Sequence, residues 1–157
     1  MKAIDILKDL SMEAKRMANP NFPANYLPAT KYSDSTANGL TKCIKDFLNL
    51  SGHQAERINT MGTFIKGSSK NHGHLSNEVN NGKYIPTTGT KGSADISATI
   101  LGRSVKIEVK MNDAQSTSQK EYQLAIEKAH GVYKIFRNFE DFYEWYIIYI
   151  KSIKLNK

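Results

Sequence analysis

The chain has 157 residues, 39% hydrophobic and 24% charged, with a net charge of +7 and a single cysteine, Cys43. Length and balance fit one folded domain rather than a disordered chain, and one cysteine excludes an internal disulfide and cysteine-rich zinc modules, which fits a reducing cytoplasm. No run of ~18 apolar residues occurs, so no membrane span is expected, the charge-interrupted opening MKAIDILKDLSMEAKRMANP lacks a signal-peptide core, and the basic excess favours a polyanionic partner.

Residues 3–17 carry Ile4, Leu7, Leu10 or Met12, and Met17 at helical spacing, and Asn19–Pro20 stops that helix. The stretch NPNFPANYLPATKYSDSTANG holds three of the four prolines. It reads as an extended arm, whose Phe22, Tyr26, Leu27 and Tyr32 are expected to pack on something. Residues 1–37 are thus an N-terminal helix and arm ahead of a core over 38–157. A second helix, over 38–50, presents Leu40, Ile44, Phe47 and Leu48, with Cys43 as a small core residue and Gly52 as the stop. QAERIN reads as a short strand near 54–60.

Residues 66–93 are rich in Gly, Asn and Ser with interspersed cations, and read as one long loop. Loops of that length are commonly functional. Two strands follow over about 94–100 and 103–110, then a helix over about 116–130. Ser116 and Gln119 form a capping box for it, Gly131 is its stop, and its apolar stripe is Tyr122, Ala125, Ile126 and Ala129. Residues 132–137 are another strand. Asn138 caps a last helix carrying Asp141 in its first turn and Phe139, Phe142, Tyr146 and Ile150 inward. The order α, β, β, β, α, β, α is that of an α/β sandwich around a mixed sheet.

The segment KGSADISATILGRSVKIEVK concentrates charge on two paired strands. A two-residue turn at Leu101–Gly102 makes Ile96 face Ile107 and Ala98 face Val105 on one side. On the other, Thr99 meets Ser104, Ser97 meets Lys106 and Asp95 meets Glu108. A slip of one residue would mix the two faces. Leu101 suits positive φ poorly, which leaves a longer turn open. In this register the Asp95 and Glu108 carboxylates stand with Cβ atoms roughly 5 Å apart, and Lys110 points to the same side. Facing carboxylates repel unless a proton or a cation lies between them. Mg²⁺ suits the position, because it takes one or two carboxylates with waters and phosphate oxygens, and the Val109 carbonyl could add a third protein oxygen. Lys110 would then stand beside a metal-bound water or a phosphate that gains charge. The bland alternative is a solvated sheet face with ordinary cross-strand ion pairs.

These residues, GSADI, IEVK and QSTSQ, resemble the PD-(D/E)XK nuclease superfamily, in particular small phage and bacterial VRR-NUC-like proteins related to Holliday junction resolvases. The resemblance covers about residues 38–146. It implies a restriction-endonuclease-like αβββαβ core with a central mixed sheet flanked by helices. It also implies metal-dependent, structure-specific cleavage of branched or flapped DNA, Mg²⁺ with Mn²⁺ as a substitute, and a possible homodimer. The family's metal-binding Asp falls on Asp95, its (D/E)XK on Glu108, Val109 and Lys110, and its helix Gln on Gln119, where it would position Lys110 or a substrate phosphate. Such nucleases often carry an acidic ligand in the first core helix. Here Asn38 lies near that position, with Asp34 and Asp46 as weaker stand-ins.

Arg57, Lys66 and Lys91, with Ser116 and Ser118, are the candidate nucleic-acid contacts, and Lys70, Lys83 and Arg103 are further loop cations. HGH at 72–74 reads as surface loop, and GTFIKGSSK at 62–70 has Ser68 where a phosphate loop needs Lys. No arrangement for nucleophilic catalysis is present. The leading expectation is therefore a Mg²⁺-dependent endodeoxyribonuclease of a bacterial or phage-infected cytoplasm, with no small-molecule cofactor. A non-catalytic DNA-binding module and a basic protein-interaction domain stand as alternatives.

Overall fold

The hairpin that carries Asp95 and Glu108 organises the sheet. In this computed structural model, which describes residues 2–58, 63–65, 83–85 and 89–155, strands β4 (Ile96–Ile100) and β5 (Arg103–Val109) pair antiparallel. The register is the one expected: Ile96 faces Ile107, Ser97 Lys106, Ala98 Val105 and Thr99 Ser104. The turn has two residues, both with positive φ, Leu101 at 47° and Gly102 at 80°, as a type I′ hairpin requires. Leu101 therefore adopts a conformation its Cβ disfavours, because the sorting of side chains onto two faces fixes the register.

Strand β1 (Gln54–Arg57) pairs antiparallel with β4, and β6 (Val132–Phe136) pairs parallel with β5, giving the order β1-β4-β5-β6. Helix α3 (Thr117–Lys128) is the crossover between the two parallel strands. A second, two-stranded sheet joins β2 (Thr63–Ile65) to β3 (Lys83–Ile85). Strand β3 falls inside the segment read above as loop, because three residues are too few to give a period-two signal.

One face of the main sheet, with Ala55, Ile96, Ala98, Ile100, Val105, Ile107 and Val109, is buried under α2 (Ala37–Leu50) and α4 (Phe139–Leu155), and α1 (Ala3–Ala18) packs against these two helices. Ala3 and Leu7 of α1 enter the same core as Leu40, Cys43, Ile44, Phe47 and Leu48 of α2. Phe47 anchors it, meeting Phe139, Phe142, Tyr143 and Tyr146 of α4 edge-on at centroid distances of 5.8, 5.8, 5.5 and 5.0 Å. Such pairs add about 0.5–1.5 kcal/mol each beyond simple burial. Burial pushes the Cys43 thiol up to about 11, so it is a packing residue and not a nucleophile.

The helix ends follow their sequence signals. Thr36 caps α2 by accepting from the Gly39 N–H, and Gly52 at φ 81° closes it. Ser116 and Gln119 form the capping box of α3. Asn138 caps α4 by accepting from the Asp141 N–H at 2.8 Å. At the end of α3 the left-handed residue is His130 (φ 60°), not Gly131. The His130 N–H bonds Glu127 and the Gly131 N–H bonds Ile126, a Schellman closure.

Three packing expectations fail. Met17 is 76% exposed, and Ala3, Leu7 and Ser11 form the inner side of α1 instead. In the arm, Tyr32 packs on the core but Phe22 and Tyr26 are exposed. Helix α3 buries no residue: Ala125 and Ala129 are exposed, and Tyr122 and Ile126 are half-buried. It meets the sheet at β6, where Tyr122 packs on Tyr133 at 6.3 Å. Among the described residues no helix is long and apolar enough to cross a membrane.

The hairpin yields a stability prediction. Leu101→Asn places a residue tolerant of positive φ before Gly102 and should stabilise the protein by about 0.5–1 kcal/mol. A higher urea midpoint with an unchanged slope is the expected result; a lower midpoint would contradict the strained-turn reading.

A candidate active site at the carboxyl end of β5

The inner face of β5 is apolar, so Glu108 and Lys110 project from the face that α3 covers. There Glu108 is 3% exposed and Lys110 7%. Burying a carboxylate is costly unless its oxygens are satisfied. Only one of the two is. Glu108 Oε1 receives the Gln119 side-chain amide and lies 3.3 Å from Lys110 Nζ, while Oε2 is buried with no hydrogen-bond partner. Burial, with the nearby Asp95 carboxylate, pushes the Glu108 carboxyl up to about 7, against the pull of Lys110.

Asp95 sits at the bend before β4. Its carbonyl accepts from the Ile58 N–H at 2.8 Å, and its Oδ2 accepts from the Val109 N–H at 2.9 Å. Its carboxylate thus bridges from the start of β4 to the end of β5, beside Glu108. Val109 turns its side chain into the core, so only its backbone belongs to the site.

Lys110 is held from two sides. Its ammonium pairs with Asp113 at 2.8 Å as well as with Glu108. Burial disfavours that charge, but the two carboxylates outweigh it and raise the Lys110 pKa. The Lys110 pair holds the Asp113 carboxyl below its usual range. Arg137 fixes the connecting turn by donating to the carbonyls of Met111 at 2.8 Å and Asp113 at 3.4 Å. Gln119 reaches Glu108, not Lys110. Its amide nitrogen donates to Glu108 while its oxygen accepts from the Ser116 N–H at 2.9 Å, so one side chain both caps α3 and orients the buried carboxylate.

A cleft of about 420 Å³ opens beside this cluster, lined by residues 89–93 and by Ser116, Ser118 and Gln119. Gly92 makes its close walls possible. At φ 79° it lies so near α3 that a Cβ there would stand 2.3 Å from the Ser118 carbonyl oxygen. Lys91 is exposed on the rim. The Ser116 and Ser118 hydroxyls bond each other at 3.1 Å, and Ser116 also accepts from the Gln119 N–H. Two further buried oxygens near the cluster lack well-formed hydrogen bonds, Ser93 Oγ and the Tyr133 hydroxyl. Burial first, and Glu108 next, push Tyr133 up to about 12 against an opposing pull from Gln115. Buried oxygens of this kind are ordinarily satisfied by ordered water, an ion or another polar group.

Arg57 stands apart. It is opposite Ile96 on the inner face of the sheet and donates to Asn38 Oδ1 at 2.7 Å. Lys66 lies outside the described residues, as do Lys70, His72 and His74. The acidic stand-ins of the first core helix are committed elsewhere: Asp34 accepts from the Phe139 N–H at 2.9 Å, and Asp46 pairs with Lys42 and Lys45. Among the described residues no group of three or more His, Cys, Asp or Glu stands ready for a metal. The available donor set is two carboxylates and a backbone oxygen, which suits a hydrated oxygen-seeking cation and not zinc. The orphaned Glu108 Oε2 beside Asp95 fits such a cation, which would supply the charge that buried oxygen lacks. Asp113, Tyr133 and Arg137 carry no site motif in the sequence; only Asp113, three residues after Lys110, has a local signal.

No family model matches the chain, and no curated protein or solved structure does either.

Folding raises the Glu108 pKa, so the native state holds an extra proton at moderately acid pH. That contribution is complete below the ordinary carboxylate range and is lost as pH rises through about 7. Glu108→Gln, which keeps the shape without the charge, should gain on the wild type by on the order of 1–3 kcal/mol between about pH 5 and about pH 8 in urea unfolding without divalent cations. A stability difference that does not change with pH would contradict the buried, under-partnered carboxylate.

Proposed function

We propose that the protein is a metal-dependent DNA endonuclease of the PD-(D/E)XK kind, hydrolysing phosphodiester bonds in branched, flapped or junction DNA. The observation that carries the reading is the buried Glu108, with one oxygen unpartnered, between Asp95 and Lys110 at one end of the sheet. With the separate β2–β3 sheet taken as an insertion between β1 and β4, the order α2, β1, β4, β5, α3, β6 agrees with the αβββαβ core that the resemblance implies.

Asp95, Glu108 and the Val109 carbonyl would hold Mg²⁺ or Mn²⁺. A bound divalent cation supplies polarisation of the phosphate and a water of lowered pKa. Gln119 fixes Glu108 through Oε1 and leaves Oε2 for the cation. Lys110, held by Asp113, keeps its proton and offers positive charge to the attacking water and to the phosphate oxygens, where charge grows in the transition state. Lys91 and the first turn of α3 border the cleft in which a flanking phosphate would lie.

A non-catalytic DNA-binding module is the second reading. It is favoured by one observation: at the start of α2 the candidate ligand is the amide Asn38, already paired with Arg57, and not a carboxylate. One assay separates the two. Labelled linear, flap and four-way-junction DNA are incubated with Mg²⁺ or Mn²⁺ and with wild type, Asp95→Asn and Lys110→Met. Cleavage of at least one substrate by wild type, falling by roughly 10²-fold or more in either variant, is expected. Binding without cleavage would establish the second reading, and equal cleavage by the variants would move the chemistry elsewhere.

A further inference from the structure

A second basic site lies on the opposite face of the sheet edge from α3. The first turns of α2 and the end of β1 enclose a hollow of about 220 Å³, lined by Asn38, Thr41, Lys42, Lys45 and Arg57. Its charge is poorly balanced. Lys42 and Lys45 share a single carboxylate, Asp46, at 3.1 and 3.2 Å. Arg57 is oriented by a neutral acceptor, the Asn38 amide oxygen at 2.7 Å, and forms no ion pair among the described residues. Among the described residues three cations therefore face one anion, and the lysine side chains are 47% and 37% exposed. Lys42 is also steadied over the Tyr32 ring, with Nζ 4.0 Å from its centroid. A surface that gathers like charges and fixes two of them with neutral partners lacks an anion.

The position matters as much as the charge. Arg57 is the register partner of Ile96, the residue that follows Asp95, and the next residue, Ile58, bonds the Asp95 carbonyl. The hollow thus adjoins Asp95 from the face of the sheet that α3 does not cover. A chain of phosphates that crosses this end of the sheet at Asp95 would meet Lys91 and α3 on one side and Arg57, Lys42 and Lys45 on the other.

We infer that the hollow between α2 and β1 is a second phosphate-backbone site, which holds nucleic acid next to the Asp95–Glu108 cluster through Arg57, Lys42 and Lys45. The inference rests on the nucleic-acid half of the function proposed above and not on catalysis. It makes Asn38 a positioning residue for Arg57 in place of a metal ligand. Binding of this kind reads charge and not sequence.

The test is equilibrium binding of a short fluorescein-labelled DNA duplex to the full chain in EDTA, followed by anisotropy across a salt series. Wild type should bind with an affinity that falls steeply with salt. Arg57→Gln and the double variant Lys42→Gln/Lys45→Gln should bind more weakly, with the log–log slope smaller by about 0.9 for each phosphate no longer neutralised. Lys151→Gln, at an exposed position of α4, serves as the control and should leave the slope unchanged. Asn38→Ala should weaken binding with little change in slope, since it removes no charge. Wild-type binding with unchanged slopes in both charge variants would overturn this site and leave the nuclease reading standing. No binding of duplex by wild type would overturn this site, while the nuclease reading stands or falls on the cleavage of flap and four-way-junction DNA.

Discussion

Glu108 is buried on the side of β5 that faces α3, and its two oxygens are treated unequally. One is tied to Gln119 and Lys110, and the other has no partner. Much of the surrounding structure exists to make that possible. The hairpin register puts Glu108 beside Asp95. The capping box of α3 directs the Gln119 amide at it. Gly92 lets the preceding loop close against the first turn of the same helix. Asp113 and Arg137 then fix Lys110 and its turn. Leaving a buried oxygen unsatisfied costs about 1–3 kcal/mol, more for a charged group. Such a cost, beside supports built around the twin oxygen, is what the proposed cation site would relieve.

The two faces of the sheet divide the work. Phe47 and the aromatic residues of α4 lock the inner face into a rigid core. Helix α3 contributes almost nothing to that core and is held at its start by Gln119 and Ser116 and at β6 by Tyr122. The stable half supplies a platform, and the lightly packed helix covers the charged cluster. The strained Leu101 turn follows the same logic: register outranks local preference, because a slip would move Glu108 into the apolar core.

What the sequence disclosed was what repeats or pairs locally. The apolar alternation of ISATI and SVKIEV set the register of the hairpin, and through it the neighbourhood of Asp95 and Glu108. The serine and glutamine three residues apart marked the start of α3. The periodic helices α2 and α4 were legible for the same reason. What escaped depends on interactions distant in the chain. Arg137 reaches back to Met111, Asp34 caps α4, and Arg57 pairs with Asn38 across the α2–β1 turn. No periodicity encodes such partners. The exposed stripe of α3 failed in the opposite sense: Ala125 and Ala129 have helical spacing but no sheet beneath them, since β6 is an edge strand. Gln119 shows both limits at once. Its capping role was readable from spacing, and its bond to Glu108 required the fold.

The proposed divalent cation would lie between Asp95 and the free oxygen of Glu108. Anomalous diffraction from a crystal soaked in Mn²⁺ tests that placement most directly. The expected result is a single strong peak within coordination distance of both carboxylates, abolished in Asp95→Asn. A peak elsewhere, or none at Glu108 while the protein remains folded, would contradict it.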